Sequence, residues 1–295
     1  MTESDFRCGF VAIVGRPNVG KSTLMNHLIG QKVSITSKKA QTTRHKINGV
    51  YSNTSAQIIF TDTPGFQTRH RNALNDRLNQ NVIESLAAVD LVLLVVEAGR
   101  FDAADAAVLK QIPAGRPVLL VVNKLDKIKD QAALARFAAE IEQKHAFIGC
   151  EIVSAKHGLR LGELRARIPA HLPPGPPLYP EDMLTDKSSR FLCAEIVREK
   201  VFRYLGEELP YAVNVEIESF AEEDHMIRIH AAILVDKDGQ KGIIIGKGGE
   251  RLKKISTEAR LDMEKLLDSK VFLRVWVKVK SGWADDVRFL KELGM

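Results

Sequence analysis

The sequence predicts two domains, an α/β domain with a doubly wound, mainly parallel sheet and a smaller α+β domain. In the first part of the chain, continuous apolar runs typical of buried parallel strands alternate with segments of helical periodicity. Residues 173–180, PPGPPLYP, are typical of a stiff, extended linker. Beyond them, apolar and polar residues alternate with a period of two, as in half-buried antiparallel strands. We therefore expect domains over 1–172 and 191–295, joined by a proline-rich linker over 173–190.

Length and composition are those of an ordinary water-soluble protein. The 295 residues suffice for two hydrophobic cores, and 45% of them are hydrophobic and 27% charged. No apolar run approaches the length of a membrane span, and residues 1–7 lack the features of a signal peptide. Cys8, Cys150 and Cys193 are far apart, which favours neither a disulfide framework nor a zinc site. We therefore expect a cytoplasmic protein.

The net charge of +6 is unevenly distributed along the chain. Residues 1–172 carry 23 basic and 15 acidic side chains, whereas residues 173–295 carry 20 basic and 22 acidic ones. A basic excess favours polyanionic partners, but here it lies in the first half. Any nucleic-acid surface in the second half must therefore come from local clustering of basic residues.

A glycine-rich segment, GRPNVGKS, follows the apolar run 10–14 and precedes a segment of helical periodicity. Its glycines let successive N–H groups converge on one anion, and the helix N-terminus adds its positive dipole end. This context predicts a phosphate-binding loop (P-loop), in which Lys21 reaches the β- and γ-phosphates and Ser22 binds Mg²⁺. The residues expected to contact the nucleotide here are Gly15, Arg16, Pro17, Asn18, Val19, Gly20, Lys21, Ser22 and Thr23.

Residues 32–48 form a polar stretch without a sustained helical or strand period, which predicts a long loop. Where the switch region of a P-loop enzyme folds over the nucleotide, a threonine gives its hydroxyl to Mg²⁺ and its N–H to the γ-phosphate. Thr42 and Thr43 are both candidates for this role. The alternative is a surface loop that is merely rich in hydroxyl groups.

A predicted strand that contains residues 58–60 leads into Asp62, Thr63, Pro64 and Gly65. In this D-x-x-G pattern the aspartate holds Mg²⁺ and the glycine N–H senses the γ-phosphate. Phe66 stands where many GTPases have a glutamine that orients the attacking water. A phenyl ring cannot do this, so we expect slow intrinsic hydrolysis or another device.

The next strands are predicted over 91–96 and 118–122, with helices over 71–88, 103–111 and 132–144. The strand over 118–122 leads into an N-K-x-D pattern whose aspartate can accept hydrogen bonds from both N1–H and the 2-amino group of guanine. Adenine lacks this pair of donors, so the motif selects GTP over ATP. A last short strand leads to a segment whose backbone N–H is expected to meet guanine O6. The residues of these two loops are Asn123, Lys124, Asp126, Ser154, Ala155 and Lys156, with Ala155 as the expected O6 donor.

With these four motifs, the chain resembles the translation-factor-related GTPases. In the branch with G-x-P-N-x-G-K-S, an asparagine at the place of Asn18 is associated with a monovalent cation near the phosphates. The resemblance therefore implies that K⁺ near Asn18 compensates for Phe66. The expected catalytic residues are Lys21, Asn18, Thr43 and Gly65, and the expected Mg²⁺ ligands are Ser22, Asp62 and Thr43 or Thr42.

The second domain has an amphipathic helix over 191–204, two strands joined by an acidic turn over 221–224, a GKGG segment, a second helix and a final strand over 271–280. This order is that of a bacterial-type (type II) KH domain, in which the G-x-x-G loop admits a nucleic-acid backbone and a groove receives about four bases. Residues 237–254 carry six basic and two acidic side chains. The residues expected to contact RNA are Lys241, Ile245, Gly246, Lys247, Gly248, Gly249, Arg251, Lys253 and Lys254.

A GTPase domain joined to a KH domain is similar to the Era family of bacterial GTPases over essentially the whole chain. Beside the motifs above, the resemblance rests on KAQTTRH at 39–45, on Glu207 with LPY at 209–211, and on WVKVKSGWADD at 276–286. It implies a GTP-hydrolysing, Mg²⁺-dependent switch that binds the 3′ end of 16S ribosomal RNA and assists maturation of the 30S subunit. It also implies association with the inner face of the membrane, and we expect a monomer.

Two other functions remain open at this point. A protein-signalling GTPase would act on a protein partner through its switch loops and use the KH domain as a scaffold. A plain RNA-binding module would keep its nucleotide for structural reasons only, and its function would then survive Lys21→Ala.

Overall fold

The computed structural model describes residues 6–37, 42–65, 73–205, 213–283 and 286. Within helix 73–87, the description of residues 73–77 and 81 is limited to the backbone. The chain divides into two compact units, the first within 1–34, 43–71 and 75–186, and the second within 35–42, 72–74 and 187–295. Phe66 lies outside the described residues, as do 39–41, 207–211 and 284–285 of the motifs that carry the family resemblance.

The first unit is an α/β structure around one six-stranded sheet. Its strands are β1 (Arg7–Val14), β2 (Ile47–Ser52), β3 (Ala56–Asp62), β4 (Leu91–Glu97), β5 (Val118–Asn123) and β6 (Gly149–Ile152). Its helices are α1 (Lys21–Ile29), α2 (Ala73–Ala87), α3 (Ala103–Leu109), α4 (Gln131–Glu142) and α5 (Leu161–Arg167). The apolar runs that predicted buried strands are indeed buried, and every residue of β3 and β5 is buried.

The strand order is β2-β3-β1-β4-β5-β6, and all pairs are parallel except β2 with β3. From β1 the chain runs towards β3, whereas from β4 it runs towards β5. The order therefore reverses between β1 and β4, and in such sheets ligands bind at the carboxyl ends of the strands near this point. The predicted doubly wound sheet is thus present.

Some elements differ from the predictions. The polar stretch over 32–48 ends in β2, an edge strand with few consecutive apolar residues, and the short helix α5 was not predicted. Residues 173–186, predicted as part of a linker, lie along the first unit. Gln57 accepts the N–H groups of Leu178 and Tyr179 at 2.8 and 2.9 Å, and Val50 donates to the Leu184 carbonyl at 2.9 Å. Hydrogen bonds therefore attach this segment along β2 and β3.

The second unit is α+β, with the sheet order β7-β8-β9. Its elements are α6 (Ser189–Tyr204), β7 (Val213–Glu223), β8 (Met226–Val235), α7 (Asp238–Ile245), α8 (Glu250–Leu267) and β9 (Val271–Val279). β7 pairs antiparallel and β9 parallel with β8. The apolar faces of α6 and α8 pack against the sheet through residues such as Val197, Val201, Ile255, Ala259 and Met263. The predicted acidic turn belongs to β7 as far as Glu223, because Glu223 still pairs with Met226. Helix α7 was not predicted.

One part of the long polar loop belongs to this second unit. The N–H and Oγ1 of Thr36 both donate to Glu199 Oε1 at 3.2 Å, and the Arg198 guanidinium donates to the Thr42 carbonyl. Arg198 and Glu199 are each 1% exposed, although α6 was expected to bury only its apolar face. The predicted first domain over 1–172 therefore lacks the segment 35–42 in the structure.

Among the helices within the described residues, none combines the length and the hydropathy that a membrane crossing requires.

Candidate functional site

The P-loop connects β1 to α1 and depends on two glycines. Gly15 has φ +154° and Gly20 φ +103°. A Cβ at Gly15 would lie 2.4 Å from the Val95 carbonyl oxygen, and a Cβ at Gly20 would lie 2.4 Å from Asn123 Nδ2. Because glycine has no side chain, the loop can lie this close to β4 and β5 at both positions. Its backbone can then curl so that several N–H groups point towards one anion.

Asn18 adopts a left-handed backbone conformation, with φ +67°. Asparagine tolerates this region better than most non-glycine residues. The local geometry therefore supplies its own reason for asparagine here, besides the expected cation.

Lys21, the first residue of α1, is 7% exposed. Its Nζ donates to the carbonyl oxygens of Gly15 and Arg16, both at 3.0 Å. Burial lowers the pKa of Lys21 to about 8, against the opposing effect of the Asp62 carboxylate. An ammonium has three N–H groups, so the same nitrogen can donate to a phosphate from within the loop.

Three hydroxyl groups surround one oxygen of Asp62 at the end of β3. Asp62 Oδ2 accepts hydrogen bonds from Ser22 Oγ at 2.7 Å, Ser34 Oγ at 2.8 Å and Thr43 Oγ1 at 3.2 Å. Asp62 Oδ1 is buried without a hydrogen-bond partner among the described residues. Burial raises the pKa of Asp62, and these hydrogen bonds counteract only part of that effect. A carboxylate among hydroxyls, with one unsatisfied buried oxygen, fits Mg²⁺ chemically.

The structure discriminates between the two candidate threonines. Thr43 Oγ1 lies 2.9 Å from Ser22 Oγ as well as near Asp62, whereas Thr42 Oγ1 lies 2.7 Å from Ser37 Oγ. The hydroxyl of Thr43 is therefore the one at the expected metal site. Ser34 belongs to the same cluster and was missed, because a serine in a polar loop carries no spacing signal.

The D-x-x-G residues approach the P-loop closely. Thr63 Oγ1 donates to the Ile13 carbonyl at 3.0 Å, which ties β3 to β1. A Cβ at Gly65 would lie 3.1 Å from Pro17 Cα, so this glycine allows the chain to pass against the P-loop. Pro64, which stands between Thr63 and Gly65 in the sequence, is buried.

The predicted base loop is bound to the P-loop through Asn123. Its Nδ2 donates to the Val19 carbonyl at 2.8 Å, and its Oδ1 accepts from the Ala155 N–H at 2.9 Å. The expected bond from this N–H to guanine O6 would have to share or replace the bond to Asn123. Nearby, Ser154 Oγ lies 2.5 Å from Asp126 Oδ1 and lowers the pKa of that exposed carboxyl group. Lys156 is exposed.

Two carboxylates that sequence reasoning did not single out bind the side chain of Arg16. Arg16 Nε lies 3.1 Å from Asp105 Oδ2, and Arg16 Nη2 lies 3.1 Å from Glu97 Oε2. The guanidinium of Arg16 is thus held by protein groups, and its main chain is what faces Lys21. The signal in the sequence that could have identified Glu97 is its position at the end of a buried strand of a doubly wound sheet, where ligands bind.

The second glycine segment lies between α7 and α8. Gly246, Gly248 and Gly249 have φ values of +74°, +59° and +80°, all in the region that favours glycine. A Cβ at Gly246 would lie 2.8 Å from Arg251 Cβ, whereas Cβ atoms at Gly248 and Gly249 would meet nothing within 4 Å. The last two positions therefore leave open space in which another backbone can approach.

All the basic residues expected at this loop are exposed, namely Lys241, Lys247, Arg251, Lys253 and Lys254. Ile245 is half-buried against the core. Arg251 donates to the Ile243 carbonyl, and Lys254 Nζ lies 4.7 Å from the centre of the Tyr204 ring. Arg251 and Lys254 thus have protein partners that the sequence did not suggest.

Comparison with known families and structures identifies related proteins over the full chain. A family described as 50S ribosome-binding GTPase matches residues 10–124, and the KH domain family matches residues 208–284. The GTPase Era of Neisseria meningitidis serogroup A is 69% identical over 292 residues, which cover 98% of this chain and 95% of that protein.

Two solved structures are similar along almost their whole length. One is a variant of Aquifex aeolicus Era bound to GDP and AlF4⁻, and the other is Era in complex with MgGDPNP and nucleotides 1506–1542 of 16S ribosomal RNA. Each has a TM-score of 0.94 and 40% identity, and the match covers 98% of this chain and 99% of the other.

Proposed function

Because this chain belongs to the Era family of GTPases, we propose that it is a GTP-driven switch that binds the 3′ end of 16S ribosomal RNA and assists maturation of the 30S subunit. One observation carries the proposal: the same chain holds a hydroxyl cluster around Asp62 beside a P-loop and, in its second unit, a left-handed glycine loop flanked by exposed lysines.

In the proposed reaction, water attacks the γ-phosphate of bound GTP in line with the leaving GDP. Lys21 and the loop N–H groups bind the phosphate oxygens and stabilise the charge that develops on them. The Mg²⁺ that the site fits would be held by Ser22, Thr43 and Asp62, and would neutralise phosphate charge. The N–H of Gly65, adjacent to Pro17, reports whether the γ-phosphate is present.

Guanine specificity would come from Asp126. Its carboxylate can accept two hydrogen bonds from the edge of guanine, and the short hydrogen bond from Ser154 fixes its orientation beforehand. Asn123 keeps the base loop at a constant distance from the phosphates through Val19.

We also propose that K⁺ near Asn18 supplies the charge that an arginine finger provides elsewhere, since Phe66 cannot orient water. The direct test is GTP turnover in K⁺ and in Na⁺ at matched ionic strength. We expect faster turnover in K⁺, and equal rates would contradict the proposal.

RNA binding is assigned to the loop Gly246–Gly249 and its basic neighbours. The supporting geometry is the open space at Gly248 and Gly249. Gly249→Asp should abolish binding of a 3′-end 16S oligonucleotide, because it fills the space and adds a negative charge. The matched control is Gly239→Asp in α7, which adds the same charge at a position without positive φ and should bind normally.

Switching would act through the polar loop. Within the second unit, Arg198 and Glu199 bind the main chain of Thr42 and Thr36, whereas the next residue, Thr43, bonds to Ser22 and Asp62 in the first unit. We propose that γ-phosphate and Mg²⁺ hold Thr43, and that hydrolysis releases it and changes how the RNA-binding domain is presented.

The decisive experiment is to crosslink the protein to cellular RNA in its GTP- and GDP-bound states and to map the sites. We expect sites at the 3′ end of 16S RNA that depend on the bound nucleotide. Sites scattered over unrelated RNAs in both states would contradict the proposal.

A cytoplasmic monomer with peripheral membrane association also stays a prediction. Sedimentation of the purified protein with and without lipid vesicles can test its oligomeric state and its association with membranes.

A further inference from the structure

We propose that Glu97 is a positioning residue for guanine-nucleotide binding, which joins the phosphate loop to the base loop through Arg16 and Lys124. The inference rests on the proposed function, because it takes these two loops as the nucleotide site. It adds a residue that belongs to none of the four motifs and contacts no expected atom of the nucleotide.

The position of Glu97 in the sheet explains why it can reach both loops. It is the last residue of β4, and β4 lies between β1, which leads into the P-loop, and β5, which leads into the base loop. Glu97 pairs in register with Asn123, and the next N–H, of Ala98, donates to the Asn123 carbonyl at 2.8 Å. The side chain therefore emerges where the strand order reverses, between the two loops.

One carboxylate oxygen of Glu97 holds one residue from each loop. Oε2 lies 3.1 Å from Arg16 Nη2 and 3.0 Å from Lys124 Nζ. The other oxygen, Oε1, lies 2.7 Å from Lys127 Nζ. The side chains of Glu97 and Arg16 are 16% and 9% exposed, so these contacts are better shielded from solvent than that of Lys127, which is 56% exposed.

Each of the two partners is constrained by a second feature. Arg16 divides its guanidinium between Glu97 and the fully buried Asp105, so its position is fixed from both sides. Lys124 has a left-handed backbone with φ +69°, which a lysine rarely adopts without support. With its ammonium held by Glu97, the aliphatic part of Lys124 is oriented before the base arrives, which lowers the entropy lost on binding.

The negative charge of Glu97 would, by electrostatic repulsion alone, weaken the binding of a nucleotide. Burial raises the pKa of Glu97, but hydrogen bonds from Lys127 and Lys124 outweigh it and lower the pKa to about 2, so the group stays ionised. A negative charge near a bound polyphosphate repels it, and its removal should then strengthen binding of any nucleotide. Positioning predicts the opposite sign, so the direction of the change in affinity separates the two roles.

The test is a set of variants in the full chain, with dissociation constants for a fluorescent GDP analogue and turnover at saturating GTP. Glu97→Gln should raise the dissociation constant about tenfold, while kcat stays within about twofold. Glu97→Asp keeps the charge but shortens the reach, and it should also weaken binding. Lys127→Met removes only the exposed ion pair, and as the matched control it should change the dissociation constant less than about twofold.

A double-mutant cycle shows whether Glu97 acts through Lys124. In the Lys124→Met background, Glu97→Gln should add less than about a twofold further change, because Glu97 joins the two loops only when both Arg16 and Lys124 are present. Unfolding midpoints of all variants identify any that lose structure. If Glu97→Gln destroys the fold, Glu97→Asp decides in its place.

Unchanged or tighter GDP binding by folded Glu97→Gln or Glu97→Asp would overturn the inference, as would a full effect of Glu97→Gln in the Lys124→Met background. Asp126→Ala distinguishes failure of the proposed site itself. If Asp126→Ala binds GDP like the unmodified protein, the assigned base loop is wrong. If it loses GDP and the Glu97 variants do not, only the role of Glu97 is wrong.

Discussion

Ser22 Oγ lies 2.7 Å from Oδ2 of Asp62, and the other oxygen of the same carboxylate, Oδ1, is buried without a hydrogen-bond partner among the described residues. One residue comes from the start of α1 and the other from the end of β3. A buried acceptor without a partner is costly in a folded protein, and a metal ion is one way to satisfy it.

Asp62→Asn should stabilise the protein without metal and nucleotide, and abolish its response to Mg²⁺. Burial raises the pKa of Asp62 in the folded state. The folded protein therefore loses stability as the pH rises from the pKa of Asp62 in the unfolded chain through its pKa in the folded state. At pH 7 the neutral amide should therefore add on the order of 1 kcal/mol to the free energy of unfolding. GTP turnover should fall at least about a hundredfold. Urea unfolding at pH 7 and at pH 4 checks the sign, since the gain should shrink at the lower pH.

Thr43→Ala should slow GTP hydrolysis, whereas Thr42→Ala should not. Only the hydroxyl of Thr43 lies near Ser22 and Asp62, whereas that of Thr42 bonds to Ser37. We expect a loss in kcat of about tenfold or more for Thr43→Ala and less than about threefold for the neighbouring control. Thr43→Ser, which keeps the hydroxyl, should recover most of the rate. Equal effects of the two alanine variants would show that the loop rearranges before catalysis.

Affinity for GDP should decrease as pH rises above about 8, because the pKa of Lys21 is lowered to about 8 in the nucleotide-free protein. Phosphate oxygens favour the charged ammonium, so binding raises this pKa and takes up a proton. Affinity is therefore full below the lowered value and falls as the free protein loses the proton. Calorimetry at pH 8 in two buffers of different ionisation enthalpy should detect uptake of up to about half a proton. Uptake that is no larger than at pH 7 would contradict the assignment.

Asp126→Asn should exchange guanine specificity for xanthine specificity. The carboxylate of Asp126 is expected to accept two hydrogen bonds from guanine, whereas an asparagine amide can donate to the carbonyl that xanthine carries instead of the 2-amino group. We expect GDP affinity to fall at least about a hundredfold and XDP affinity to rise. Competition of both nucleotides for one fluorescent probe measures the two changes together. If both affinities fall equally, the variant has disturbed the loop and Asp126 does not read the base.

The sequence determined the fold class, the family and most of the nucleotide loops, because these depend on local signals. Buried parallel strands require continuous apolar runs such as 91–96, and phosphate and base loops require particular residues at fixed spacing. Gly15 and Gly20 illustrate this well, because the positive φ and the close contacts at both positions allow only glycine. The family assignment is confirmed by relatives that match along the whole chain.

Only the tertiary structure decided which distant groups meet. Residue spacing does not predict that the hydroxyl of Thr43, and not that of Thr42, lies at the expected metal site, nor that Ser34 lies beside Asp62. A polar loop has no period that fixes where its side chains point. Glu97 and Asp105 carry no motif, and they reach Arg16 because the sheet order places the ends of β1 and β4 side by side. The attachment of 173–186 to β2 and β3 likewise depends on pairing with Gln57 and Val50, residues far away in sequence. Motifs depend on residues that are neighbours in the sequence, whereas contacts between distant residues depend on how the folded sheet brings them together.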